Sequence, residues 1–167
     1  MRSIIIIGTF SLIVLSCSSS SGPETSMGES PDNPSAAPDF SLESLDGGNI
    51  NLKDFKGKVV YIFFIGYSCP PCIASAPVTE QIYQKYKDED VQVIAIDVWD
   101  GGTADVSAFR DNTGVTYPIG MNGSSIGSSY GVSNDFSVVI DNEGYLVYKA
   151  AGVNQHDLES FIDDLLM

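Results

Sequence analysis

K-V-V-Y-I-F-F-I-G-Y-S-C-P-P-C-I-A-S-A-P-V-T-E-Q-I-Y-Q-K-Y, from Lys58 to Tyr86, is the stretch that decides the fold. Val59 to Ile65 are seven consecutive apolar residues, rich in β-branched and aromatic side chains, which predicts a strand buried on both faces. A C-x-x-C pair follows at once. After it Ala74, Val78, Ile82 and Tyr86 recur every four residues, predicting a helix with one apolar stripe.

A cysteine in the first turn of a helix meets unpaired backbone N–H groups and the positive end of the helix dipole, so its thiolate is favoured. Cys69 is predicted to be that residue and to act as an accessible nucleophile. Cys72, one turn on and partly covered, is placed to close a disulfide and to resolve a mixed disulfide at Cys69. Pro70 and Pro71 fit first-turn positions, where a missing N–H matters least and φ is already helical. They also remove two donors from the sulfur.

Working outward, Pro38 to the C-terminus resembles the thioredoxin superfamily, and within it the membrane-tethered TlpA/ResA-type thiol-disulfide oxidoreductases of the bacterial envelope. The motifs that carry the resemblance fall in the family's order: A-P-D-F-S-L-E-S-L-D-G (Ala37 to Gly47), N-L-K-D-F-K-G-K-V-V (Asn51 to Val60), C-P-P-C, Pro77, Y-G-V (Tyr130 to Val132) and V-I-D-N-E-G (Val139 to Gly144). The resemblance implies an α/β thioredoxin-like fold: a central mixed β-sheet flanked by helices, with an N-terminal β-hairpin and a TlpA-type βα insertion at Thr103 to Asn112. It implies chemistry without a cofactor beyond the Cys69–Cys72 disulfide, with protein disulfides as substrates, a membrane electron donor, and cytochrome c maturation as a setting.

The resemblance also locates departures. The position where the family carries a cis-proline falls on Asp135, or on Phe136 if the loop is shifted by one residue. A cis bond before a non-proline residue costs about 3 kcal/mol, so a trans peptide and a different loop are predicted. The family's buried acid is absent, with Phe63 on the strand and Ser75 three residues after Cys72. Asp97 and Asp135 are the acids that could take its place. Ser68 replaces the usual tryptophan before the first cysteine and offers less cover. If Asp135 faces Cys69, its charge raises the thiol pKa and favours a reducing protein.

Elsewhere, Asp46-Gly47-Gly48 predicts the turn of a small hairpin, and Val91 to Val98 a second buried strand. Trp99, at that strand's carboxyl end, is expected either as a substrate lip or as an aromatic packed under the glycine-rich loop. Gly120 to Ser129 is too rich in Gly and Ser to assign as a helix. Ser137 to Ile140 and Tyr145 to Tyr148 flank D-N-E-G as an antiparallel hairpin, and Leu158, Phe161, Ile162, Leu165 and Leu166 mark an amphipathic last helix capped by Asn154.

The chain has 167 residues, 43% hydrophobic, and a formal net charge of -14, consistent with one domain and unfavourable for nucleic acid. A monomer is expected. Arg2 followed by the apolar run Ile4 to Leu15 has the length of a signal-peptide core, and V-L-S-C (Val14 to Cys17) resembles a bacterial lipoprotein processing site. The expected organisation is therefore a lipoprotein signal peptide over 1–16, a lipidated Cys17 with a Ser/Pro/Gly tether over 17–37, and the domain over 38–167. The domain would then be lipid-anchored in the cell envelope, facing the periplasm or exterior. A tether of about 20 residues reaches at most about 70 Å.

Other classes compete with the enzymatic one. Two thiolates can hold Cu(I), and the lead-in also resembles the copper-chaperone branch, but that branch spaces its cysteines C-x-x-x-C with a distal histidine. Here the lone His156 stands at the start of the last helix. A thiol peroxidase would need Thr and Pro where Gly66 and Tyr67 stand. A structural disulfide gains little chain entropy from so short a loop. A binding lipoprotein with vestigial redox chemistry is the remaining alternative.

Overall fold

The computed structural model describes residues 34–167; Cys17 and the segments assigned as signal peptide and most of the tether lie outside them. Among the described residues, eight strands and four α-helices follow in order as β1 (Ser35–Ala36), β2 (Ser41–Glu43), β3 (Asn49–Asn51), β4 (Val59–Ile65), α1 (Pro70–Tyr86), β5 (Val91–Asp97), α2 (Thr103–Thr113), β6 (Ile119–Gly120), α3 (Ser124–Tyr130), β7 (Phe136–Ile140), β8 (Tyr145–Ala151) and α4 (Gln155–Leu165). A turn of 3-10 helix at Leu52–Phe55 joins β3 to β4.

The apolar run becomes the central strand of a six-stranded mixed sheet ordered β1-β8-β7-β4-β5-β6. β4 runs parallel to β5 and antiparallel to β7, so both its edges are paired as well as both its faces buried. Side chains alternate along it. Val59, Tyr61, Phe63 and Ile65 join the core formed with α1, α2 and α4, whereas Val60, Ile62 and Phe64 join the core under the β2–β3 hairpin and α3. Each such fully buried side chain contributes about 1.5–3 kcal/mol, which is why this strand organises the sheet.

The helical stripe differs from the one the periodicity marked. Ala74 is exposed and Val78 only half-buried; the inward face of α1 is Cys72, Ala76, Thr79, Ile82 and Tyr86. A hydrophobicity count overlooks Thr79 because its hydroxyl lies 3.4 Å from that of Tyr61, which also approaches the Ser137 Oγ at 3.1 Å. Polar groups so paired are tolerated in the interior. Pro77 sits inside the helix on its exposed side, where it leaves one carbonyl without its intrahelical partner.

Three further differences have local causes. Ser35–Ala36 pairs with β8, so the sheet takes in residues that the sequence reading assigned to the tether. Ser124–Tyr130 is helical despite its composition because Gly123 and Gly127 let it pack tightly on β5 and the residue that follows it: a Cβ at Gly123 would lie 2.2 Å from Ile96 Cγ2, and one at Gly127 2.9 Å from Val98 Cγ1. Leu166 falls just past the end of α4 and is exposed, so only Leu158 and Ile162 of the last helix are fully buried.

Candidate active site

Cys69 is the N-cap of α1, with φ -70° and ψ 117°, and Pro70 and Pro71 take the first two helical positions. The Gly66 carbonyl accepts the Cys69 N–H at 2.9 Å, and the Cys69 carbonyl accepts from Ile73 at 3.0 Å. Cys69 and Cys72 are joined as a disulfide with their Cα atoms 5.3 Å apart. The N–H of Cys72 donates to Cys69 Sγ at 3.3 Å, so one of the orphan donors of the helix terminus is spent on the sulfur.

The surroundings of the pair differ from the expected open corner. Cys72 is fully buried, as expected for a resolving thiol, but Cys69 is only 1% exposed and belongs to the apolar core. Pro70, Pro71 and Ser68 are exposed around it. Cover comes instead from the loops after β5 and before β7. Asn134 donates from Nδ2 to Cys69 Sγ at 3.1 Å, and its Oδ1 accepts from Trp99 Nε1 at 3.3 Å. Trp99 is 45% exposed and lies edge-on to Tyr67, with ring centroids 5.9 Å apart. Its ring rests on the Gly66 backbone so closely that a Cβ there would fall 2.4 Å from it. Trp99 is thus not packed under the glycine-rich loop: its ring lies on the Gly66 backbone and stands exposed at the rim.

The two candidate acids divide. Asp97 is buried and organises the loops at the carboxyl end of β5, accepting N–H bonds from Tyr67 (3.0 Å), Trp99 (3.4 Å) and Gly101 (2.7 Å). Burial raises its pKa against the pull of those three donors. Asp135 lies on the α1 side of the sheet, next to Ser75. Burial raises its pKa, while the Ser75 hydroxyl works the other way, and its Oδ1 is buried without a partner. Phe136 alternates onto the opposite face and packs against the core under the hairpin.

No peptide bond among the described residues is cis. Asp135 instead takes a left-handed φ of 61°. Its N–H donates to the Phe64 carbonyl at 2.7 Å and its carbonyl accepts from Gly152 at 2.7 Å, which straps the loop to β4 and to the end of β8. Asp and Asn tolerate this backbone better than other non-glycine residues. Asn134 was absent from the sequence-derived site. A polar residue in a short loop carries no periodic signal, and only its position just before Asp135 pointed toward the cysteines.

His156 lies exposed in the first turn of α4. A cleft of about 520 Å³ lined by Leu52, Phe55, Val60 and Ile140 opens at the amino end of β4, away from the disulfide.

Comparison with known proteins gives the same architecture. The Redoxin family model matches residues 32–166. A thiol-disulfide oxidoreductase ResA of Bacillus thuringiensis strain Al Hakam is 35% identical over 129 residues, covering 75% of this chain and 74% of the relative. The ResA of Halalkalibacterium halodurans is 31% identical over 130 residues, covering 76% and 73%. Among solved structures, a putative thiol:disulfide interchange protein DsbE from Chlorobium tepidum superposes with a TM-score of 0.73 at 30% identity, covering 81% of this chain and 99% of that one. A putative protein disulfide isomerase from Bacteroides thetaiotaomicron gives 0.70 at 32% identity, covering 78% and 87%. With its disulfide at the junction of the central strand and α1, the chain belongs to the Redoxin family, as a TlpA/ResA-like member of the thioredoxin superfamily.

Proposed function

We propose that the chain is an envelope-anchored thiol-disulfide oxidoreductase that reduces disulfides in exported proteins. The observation that carries this is the Cys69–Cys72 disulfide at the helix N-terminus, with Cys69 Sγ accepting two hydrogen bonds and Cys72 buried behind it. In the reduced enzyme the Cys69 thiolate attacks one sulfur of a substrate disulfide, forming a mixed disulfide and releasing the other sulfur as a thiolate. Cys72, deprotonated, then attacks Cys69 Sγ; the Cys69–Cys72 bond forms and the second substrate thiolate leaves. Two electrons pass from the cysteine pair to the substrate, and an external dithiol must restore them.

Burial of the pair supports the reducing direction. A neutral disulfide is at home in an apolar core, whereas a thiolate in the same place loses hydration, so the oxidised form is favoured and electrons are readily given up. The Asp135 carboxylate beside Ser75 supplies an acid on the Cys72 side in place of the family's missing one.

Anchoring through lipid at Cys17 fits the direction of the sheet. β1 pairs Ser35 with Leu146 and Ala36 with Tyr145, beside the turn that follows Ile140, which is opposite Val60 at the start of β4. β1 thus lies on the side of the sheet where β4 begins, while the disulfide follows the carboxyl end of β4, about 23 Å further along for seven residues.

The deciding experiment is a trap. Cys72→Ser protein should retain clients through Cys69 that are released by dithiothreitol, and the wild type should reduce insulin. Apocytochromes c are the first clients to look for. No retained protein, together with no insulin reduction, would turn the reading toward a binding lipoprotein.

A further inference from the structure

Asn134 bridges Cys69 Sγ and the Trp99 indole, and the donor inventory of the two contacts fixes which way the amide faces. An indole nitrogen only donates, so the side-chain carbonyl must turn toward Trp99, which leaves the NH2 group for the sulfur. Trp99 is in turn held by its seat on Gly66, its edge contact with Tyr67, and the bond its backbone N–H donates to Asp97. The amide therefore reaches the sulfur already oriented.

From this geometry, and resting on the oxidoreductase reading, we infer that Asn134 is the residue that stabilises the Cys69 thiolate and covers the disulfide, with Trp99 as its positioning residue. Three facts converge on it. Pro70 and Pro71 have removed two N–H donors that a helix terminus would offer, leaving Cys72 N–H at 3.3 Å. Asn134 at 3.1 Å replaces one of them from the facing loop. Cys69 is 1% exposed with the Asn134 amide against its sulfur, so a substrate sulfur that approaches along that side must displace this contact. No bond is made or broken at Asn134; it donates a hydrogen bond that strengthens as the sulfur becomes anionic. When that contact is displaced, the thiolate loses its donor as the substrate arrives, so stabilisation and access along that side alternate.

The test is the pH profile of Cys69 alkylation in the reduced protein, followed by peptide mapping, in the wild type and in Asn134→Leu, Asn134→Asp and Trp99→Phe. Loss of one charge-assisted donor should move the midpoint upward by about one pH unit in Asn134→Leu. Asn134→Asp, nearly the same size, should move it further, because it puts a negative charge where a donor stood. Trp99→Phe keeps the ring but not the N–H and should shift it in the same direction by less. The Asn134→Leu/Trp99→Phe pair should shift no further than Asn134→Leu alone. Coincident midpoints in the wild type and both Asn134 variants overturn the assignment, and an additive double variant overturns the role of Trp99. A midpoint that follows Asn134 in a protein unable to reduce insulin keeps this pairing and removes the reductase reading instead.

Discussion

Asp135 holds a left-handed backbone and a buried, unpartnered carboxylate oxygen at once. Because burial raises its pKa, the folded state keeps the proton to higher pH than the unfolded chain does. Its contribution to stability is therefore fullest in acid, below the ordinary aspartate value, and is lost as pH rises through the raised one. Asp135→Asn keeps the backbone preference and removes the charge, so it should melt above the wild type at neutral pH, with the gap closing as the buffer is acidified toward about pH 4. Asp135→Pro should do the opposite in urea. Proline fixes φ near -65° and would also forfeit the N–H bond to Phe64, so reinstating the family's residue type does not reinstate its loop. The two cysteines were legible because their spacing falls between a strand signal and a helix signal. Asn134 was not, since what matters there is a through-space contact between loops 65 residues apart in sequence.

At the scale of elements, β4 and α1 are pinned to each other and to β7 by the Tyr61 hydroxyl between Thr79 and Ser137. Burial pushes the Tyr61 pKa up to about 12, so the group stays a neutral donor throughout the working range. Tyr61→Phe should lower stability by about 1–2 kcal/mol in a denaturant titration, by leaving Thr79 without its partner. Gly66→Ala tests the junction from the other side. Its Cβ would fall 2.4 Å from the Trp99 ring, which must swing away into solvent, so the sole tryptophan's fluorescence should change even if the protein stays folded. Strands and long helices were readable here because apolar residues repeat along them. α3 was not, because its Gly-rich sequence serves close approach to β5, a property that shows only when both partners are in place. For the same reason the buried stripe of α1 was misjudged at Ala74 and Val78: Thr79 is interior because of a partner hydroxyl on β4.

For the molecule as a whole, the polarity of the sheet bears on the proposed anchoring. With β1 at one pole of the sheet and the disulfide at the other, lipid at Cys17 would present the reactive end outward. Cys17→Ala should move the protein from the membrane fraction to the soluble fraction of the envelope without altering insulin reduction by the purified domain. Retention of the variant in the membrane would overturn the lipid anchor. One feature of α1 reaches beyond any single contact. Pro70 and Pro71 occupy first-turn positions whose N–H groups have no intrahelical acceptor, but Pro77 removes the bond to the Ile73 carbonyl, while the nine residues of α1 beyond it are free of proline. The turn before Pro77 is thereby one bond short at the end of the helix that carries both sulfurs, and opens ahead of the turns beyond it. Amide hydrogen exchange should be fast and redox-dependent before Val78, and slow and indifferent to redox state after it.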